Sequence, residues 1–224
     1  MPVPCYILVA LGSYLLGSIP CGFLAAKARG IDIRMAGSGN IGATNAMRVL
    51  GVPLGILVLL LDAFKGYAAC AFLPPFIFNS LAPHFSGFVA TFQTEPADLQ
   101  ARLRILAGIF AVLGHNYTCW LKFKGGKGIA TTAGVYVALA PGPLLIALVV
   151  FVLAVAVTRY MSVGSIAGAI ALPAAVWAMM PHNLLLGVVT TALGVLAIYK
   201  HKSNLQRLRA GTENRFGKKP GPAK

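Results

Sequence analysis

The stretch Ala36-Gly37-Ser38-Gly39-Asn40-Ile41-Gly42-Ala43-Thr44-Asn45-Ala46-Met47-Arg48 gathers glycines, hydroxyls, amides and one arginine between two apolar runs. Glycine lets backbone N–H groups come close to an anion, and Ser38, Asn40, Thr44 and Asn45 add neutral donors. Arg48 adds a planar, permanently charged fork suited to phosphate. Ser38, Gly39, Asn40, Gly42, Thr44, Asn45 and Arg48 therefore make a candidate phosphate cradle. The same stretch spells Gly-x-Gly-x-x-Gly at Gly37, Gly39 and Gly42. A dinucleotide fold needs an apolar strand before that motif, and Asp32-Ile33-Arg34-Met35-Ala36 is not one. Against the cradle stands only a flexible loop joining two helices.

A second candidate anion site is Phe123-Lys124-Gly125-Gly126-Lys127-Gly128, soon after Gly114-His115-Asn116-Tyr117. Glycines between Lys124 and Lys127 at a helix start combine backbone donors with ammonium groups. Gly128 stands where a nucleotide P-loop needs Ser or Thr for magnesium, so nucleotide binding is excluded. The plainer reading is a basic loop anchoring lipid headgroups, with His115 a structural hydrogen-bonder. A third cluster, Arg159-Tyr160-Met161-Ser162-Val163-Gly164-Ser165, offers two serine hydroxyls. The fourth runs from His201-Lys202-Ser203-Asn204 to Gly211-Thr212-Glu213-Asn214, and its His201 and Asn204 share a helix face. Taken alone, it reads as a solvated basic end. Asp62 and Lys65, three apart inside an apolar run, are either functional or a structural ion pair. No carboxylate cluster suits magnesium, no His/Cys spacing suits zinc, and no Gly-x-Ser-x-Gly elbow occurs. Neither a metal nor a cofactor is expected.

The elements that must carry these clusters are set by composition. The 224 residues are 58% hydrophobic and 11% charged, with a mean hydropathy of +0.78, against about 25% charged residues in a soluble domain. The chain is expected to be membrane-embedded and all-α. Cys5, Cys21, Cys70 and Cys119 lie among apolar residues without Cys-x-x-Cys spacing and read as buried free thiols. Apolar runs cover about residues 4–26, 52–78, 105–121, 129–158, 163–180 and 184–199, with a looser segment over 79–104. The first has no basic start or cleavage site and reads as a retained span, kinked at Gly17-Ser18-Ile19-Pro20.

Topology turns on whether 129–158 crosses once or twice. A tight turn at Pro141-Gly142-Pro143 gives about seven spans, two of them short, at about 18 and 24 Å for 1.5 Å per residue. Then sixteen of the nineteen Lys and Arg, all but Lys65, Arg102 and Arg104, fall on one face. The positive-inside rule makes that face cytoplasmic, with the N-terminus outside and the C-terminus inside. It also explains the net charge of +14 better than nucleic-acid binding does. All four polar clusters then lie at one membrane surface, as for a single interfacial active site. Residues 1–216 read as one transmembrane domain and 217–224 as a basic cytoplasmic tail.

The ordered set Gly17-Ser18-Ile19-Pro20, Gly37 to Asn45, Gly114-His115 with Phe123 to Gly128, and His201-x-x-Asn204-x-x-Arg207-Leu208 with Gly211-Thr212-Glu213 resembles one family. It is that of the bacterial membrane acyl-phosphate:glycerol-3-phosphate acyltransferases, and the resemblance covers residues 12–216. It implies a seven-helix inner-membrane protein that moves a fatty acyl group from acyl phosphate to the 1-hydroxyl of sn-glycerol 3-phosphate. The products are lysophosphatidic acid and inorganic phosphate, in phospholipid synthesis. By the same resemblance, Ser38, Asn40, Gly42, Thr44 and Lys127 surround the donor's phosphoryl group. Arg48, Lys127, His201 and Asn204 hold glycerol 3-phosphate, joined by Ser162 or Ser165. The catalytic set implied is Ser38, Asn40, Lys127 and His201; Gly39, Asn45, Lys124, Gly125, Gly126 and Gly128 complete the binding set. Membrane lipids are the remaining partners, and nucleic acid is not one. Aligning two mutually repelling anions with fixed donors is the expected source of catalysis. The proton of the attacking hydroxyl goes to the donor's own phosphate, with His201 as the second candidate base. The alternatives are the same fold using acyl-CoA or acyl carrier protein, and a phosphate or organic-anion transporter.

Overall fold

A computed structural model describes residues 3–81, 96–215 and 217. Among these, helix is the only regular secondary structure. Most of segment 79–104 and nearly all of the tail 217–224 lie outside the described residues. Packing groups the chain into two compact units, Met1–Leu139 and Ala140–Lys224.

The first unit begins with α1 (Val3–Ser18) and α2 (Cys21–Lys27), separated at Ile19–Pro20. The break expected at residues 17–20 is there. Its physical requirement is met as well, because the Lys65 ammonium donates to the Ile19 carbonyl at 2.8 Å. A 3-10 turn, Ile33–Met35, and α3 (Ala43–Leu50) follow. The cradle stretch is thus a loop running into a short helix rather than a loop throughout. Next come α4 (Val52–Ala71) and α5 (Leu73–Leu81). The run read as continuous over 52–78 is interrupted at Phe72, just before Pro74 and Pro75, whose nitrogens cannot donate to a continuing helix. Helix α6 (Pro96–Asn116) corrects the third span, which starts nine residues earlier than 105 and ends five before 121. The i,i+4 ion pair Asp98–Arg102, at 2.8 Å, lets its polar first turns stay helical. A 3-10 turn, Cys119–Leu121, leads to α7 (Ile129–Leu139).

Small residues bring these helices into contact. A Cβ at Gly17 of α1 would strike the Ala111 carbonyl of α6, and one at Gly114 of α6 would strike the Tyr14 carbonyl of α1. Gly66 of α4 and Gly134 of α7 abut the Thr131 and Ala63 carbonyls in the same reciprocal way. Lipid offers no hydrophobic drive for association, so close backbone packing does that work.

The second unit holds α8 (Pro141–Thr158), α9 (Met161–Met179), α10 (Leu184–Lys200) and α11 (Lys202–Arg209). Pro141-Gly142-Pro143 is the first turn of α8, not the tight turn expected; the helix break falls at Ala140. Proline suits that position because the first N–H groups of a helix have no intrahelical partner to lose. At 18 residues α8 is about 27 Å long, so among the described residues α7, with 11 residues, is the short apolar helix.

Large apolar side chains point outward in both units, among them Leu60 in the first and Val157 and Val195 in the second, each at least 60% exposed. That surface matches hydrocarbon rather than water. Among the described residues, four stretches are long and apolar enough to span a bilayer: Val3–Lys27, Val52–Ser80, Pro141–Thr158 and Met161–Met179. A fifth arises if α10 and α11, bent by 51°, count as one.

Candidate active site

The first half of the candidate site lies at one end of the first unit. Ala26, Ile33, Ile41, Ala46, Val58 and Leu121 pack as one buried cluster, which seats the 36–45 loop and the 119–121 turn on common ground. Within the loop, Gly37 and Gly39 have φ of +60° and +71°, a region other residues enter only under strain. Asn45 staples the shape. Its Nδ2 lies 2.8–3.3 Å from the Ile33, Ala36 and Asn40 carbonyls, and its Oδ1 accepts the Ser38 N–H at 2.8 Å. At 2% exposure it braces the loop from within. Asn40 Oδ1 accepts the Gly42 N–H at 2.9 Å, and the Gly39 N–H goes to Ala36. The amides of Gly39 and Gly42 are therefore engaged by the protein itself. The amides of Ala43 and Thr44, in the first turn of α3, take no part in these bonds, and a helix start is where an anion finds donors. Thr44 and Arg48 follow one another along α3, four residues apart, both half-buried.

The Gly-Gly-Lys-Gly segment is fastened in the same manner. Gly125 N–H donates to the Asn116 carbonyl at 3.2 Å and Gly126 N–H to the His115 carbonyl at 3.0 Å. A Cβ at Gly125 would collide with that backbone, and one at Gly126 with the His115 ring. These two glycines allow close approach to the end of α6 instead of presenting amides to an anion. Lys122 and Phe123, with φ of 52° and 59°, turn the chain sharply before them, and Gly128 has φ of +83°. Lys127 is left half-buried between two buried glycines, whereas Lys124 is exposed.

In the second unit the third and fourth clusters meet around Glu213. Its Oε1 accepts from Ser162 Oγ at 3.0 Å and Asn204 Nδ2 at 2.7 Å, and its Oε2 from Arg207 Nε at 2.7 Å. Burial opposes the charged carboxylate, but the bonds from Asn204, Arg207 and Ser162 outweigh it and hold the Glu213 pKa below its ordinary value. The geometry separates the two serines. Ser165 Oγ donates back to the Met161 carbonyl at 2.8 Å, while Ser162 belongs to the Glu213 group. His201 stands at the junction of α10 and α11, 3% exposed, with Nδ1 2.7 Å from the Ala197 carbonyl. A carbonyl can only accept, so Nδ1 carries the proton and the lone pair of the neutral ring is on Nε2.

Sequence reasoning passed over Glu213 as an organiser. The available signal was an acid within a strongly basic tail, nine residues after Asn204, in a chain with five acids in all. Among the described residues, no three His, Cys, Asp or Glu side chains converge as a metal site.

Residues 7–211 match the profile of the family described as glycerol-3-phosphate acyltransferase. The glycerol-3-phosphate acyltransferase of Geobacter metallireducens is 49% identical over 210 residues, covering 94% of this chain and 97% of that one. That of Geobacter sulfurreducens is 45% identical over 204 residues, covering 91% and 94%. The fold resembles the crystal structure of PlsY (YgiH), an integral membrane glycerol 3-phosphate acyltransferase, in its glycerol 3-phosphate form. The TM-score is 0.78 at 33% identity, over 95% of this chain and 96% of that one. The lysophosphatidic acid form of the same enzyme gives a TM-score of 0.76 at 33% identity, over 95% of each chain.

Proposed function

This chain belongs to the glycerol-3-phosphate acyltransferase family, and from that premise we propose that it transfers a fatty acyl group from acyl phosphate to the 1-hydroxyl of sn-glycerol 3-phosphate. It is a multi-pass membrane enzyme of phospholipid biosynthesis that yields lysophosphatidic acid, and inorganic phosphate is the second product. The observation that carries this reading is the likeness, over nearly the whole chain, to an enzyme crystallised in a glycerol 3-phosphate form and a lysophosphatidic acid form.

In the reaction, the 1-hydroxyl oxygen bonds to the acyl carbon while the bond from that carbon to the phosphate oxygen breaks. The hydroxyl proton leaves with the released phosphate. Within the first unit, Ser38, Asn40, Thr44 and Lys127 engage the donor's phosphoryl group, and Arg48 and Lys127 engage glycerol 3-phosphate. Within the second, His201, Asn204 and Ser162 engage glycerol 3-phosphate. The loops are pre-shaped by Asn45 and by the His115 carbonyl, so little reorganisation accompanies the arrival of charge. The charge asymmetry of the sequence supports seven spans in the bacterial inner membrane, with N-terminus outside and the polar clusters and C-terminus in the cytoplasm.

The test is phosphate release by purified protein in detergent, given acyl phosphate and glycerol 3-phosphate in EDTA. Release that depends on both substrates, with lysophosphatidic acid formed in equal amount, is the expected result. Transfer from acyl-CoA or acyl carrier protein but not from acyl phosphate would overturn the donor. His201→Ala is expected mainly to raise the glycerol 3-phosphate KM, whereas loss of turnover at saturation would make the histidine the base.

A further inference from the structure

The buried charges of Asp62 and Lys65 have no part in the roles above, yet they lie where the supports of both anion loops of the first unit meet. Lys65 Nζ stands 2.8 Å from Asp62 Oδ1, and neither side chain is more than 5% exposed. Each partner holds a third group. Lys65 also donates to the Ile19 carbonyl, at the break between α1 and α2. Three residues on, Gly22 lies so close to the Ile41 carbonyl that no Cβ would fit, and Ile41 sits between Asn40 and Gly42 in the first loop. Asp62 Oδ1 lies 3.5 Å from His115 Nδ1. His115 grips the second loop twice, through its carbonyl on the Gly126 N–H and through its ring against the Gly126 Cα. Lys127 is the next residue. Thr118 Oγ1 donates to the Ser18 carbonyl at 2.6 Å and closes the same corner. The crevice these groups line has no room for a water molecule, so it is a joint and not a ligand pocket.

We propose that Asp62 and Lys65 are a positioning pair that fixes the two anion loops, Lys65 through Ile19 and α2 to the 36–45 loop, Asp62 through His115 to Gly126 and Lys127. A pair that served packing alone could be replaced by apolar side chains, since desolvation offsets much of its attraction. Here such a replacement also strips one contact from the Ile19 carbonyl and one from His115. The consequence for turnover rests on the acyl-transfer reading; the consequence for the loops does not.

The test compares the full-length protein in detergent with the variant Asp62→Asn/Lys65→Met, which removes both charges together and leaves neither buried alone. Hydrogen exchange is expected to accelerate by about tenfold in peptides covering 19–45 and 115–128, and to stay at the wild-type rate in α8 and α9. Phosphate release at saturating substrates is expected to fall by about tenfold or more. Wild-type exchange in both loops, or equal acceleration throughout both units, would overturn the positioning role. His115→Phe keeps the ion pair and the ring volume, and it should loosen 115–128 while leaving 19–45 unchanged. If the double variant does not fold, this one decides alone, and wild-type exchange in 115–128 then sinks the proposal. Absence of transfer by the wild-type protein would refute the acyl-transfer reading and leave the exchange result standing.

Discussion

In the first unit the loops bearing Ser38 and Lys127 are held by a neutral amide, Asn45, and by backbone carbonyls at His115 and Asn116. In the second, a carboxylate, Glu213, draws Ser162, Asn204 and Arg207 around itself. The difference has an electrostatic sense. A carboxylate beside an anion site subtracts from its attraction, most strongly where water is scarce. Uncharged supports place no negative charge beside Arg48 and Lys127, and Asp62, the one buried carboxylate of that unit among the described residues, is matched by Lys65. The second unit keeps Glu213 neutralised by Arg207 at 2.7 Å, and in the proposed reaction His201, Asn204 and Ser162 are the groups of that unit that face the ligand.

The largest effect should come from the residue that most distinguishes the first unit. Lys127→Met is expected to lower kcat/KM by about 10²–10³ with little change in the thermal unfolding of detergent-solubilised protein. A loss of a few-fold only would mean that the cation is not what the loop is built to present. Asn45→Ala comes next. It leaves buried loop carbonyls without their donor, so about 2–3 kcal/mol of stability should go, with turnover falling alongside. Unfolding curves and phosphate release on the same preparation would check that both move together.

Glu213→Gln sharpens the contrast from the other side. Losing the charge-assisted bonds is expected to cost about 1–2 kcal/mol and to raise the glycerol 3-phosphate KM more than it lowers kcat. The sign of the pH dependence follows from the lowered Glu213 pKa. Its stabilising contribution is complete above the ordinary glutamate value of 4.5 and is lost as pH falls through the lower folded value. Thermal unfolding followed from pH 7 to 3 should show this acid-side loss in the wild type and a smaller one in Glu213→Gln. The smallest effects separate the serines. Ser162→Ala should weaken glycerol 3-phosphate use by several-fold, about 1 kcal/mol, while Ser165→Ala should stay within about 0.5 kcal/mol in stability and twofold in rate. Equal effects would dissolve the Glu213 grouping.

Much of this architecture could be read from residue order. The break at Ile19–Pro20 was legible because proline cannot donate and cannot hide that fact. The position of the second break was not, because Pro141 favours the start of a helix as readily as a turn, and only the conformation of Ala140 decides. The polar ends of helices are also hard to see: α6 runs nine residues beyond its apolar part because Asp98 and Arg102 pair on its surface.

By itself, the sequence determined that helices would cross a membrane and that phosphate-binding residue types would cluster at four places. Hydrophobicity and side-chain chemistry are local properties, and they survive in a one-dimensional reading. Only the tertiary structure decided that Asn45 is a staple, that Gly126 exists to admit the His115 ring, and that Glu213 selects Ser162 over Ser165. Those assignments depend on which groups meet across five to about fifty residues of chain, and hydrogen bonds are directional and short-ranged. No spacing rule encodes such partners until the backbone has been folded around them.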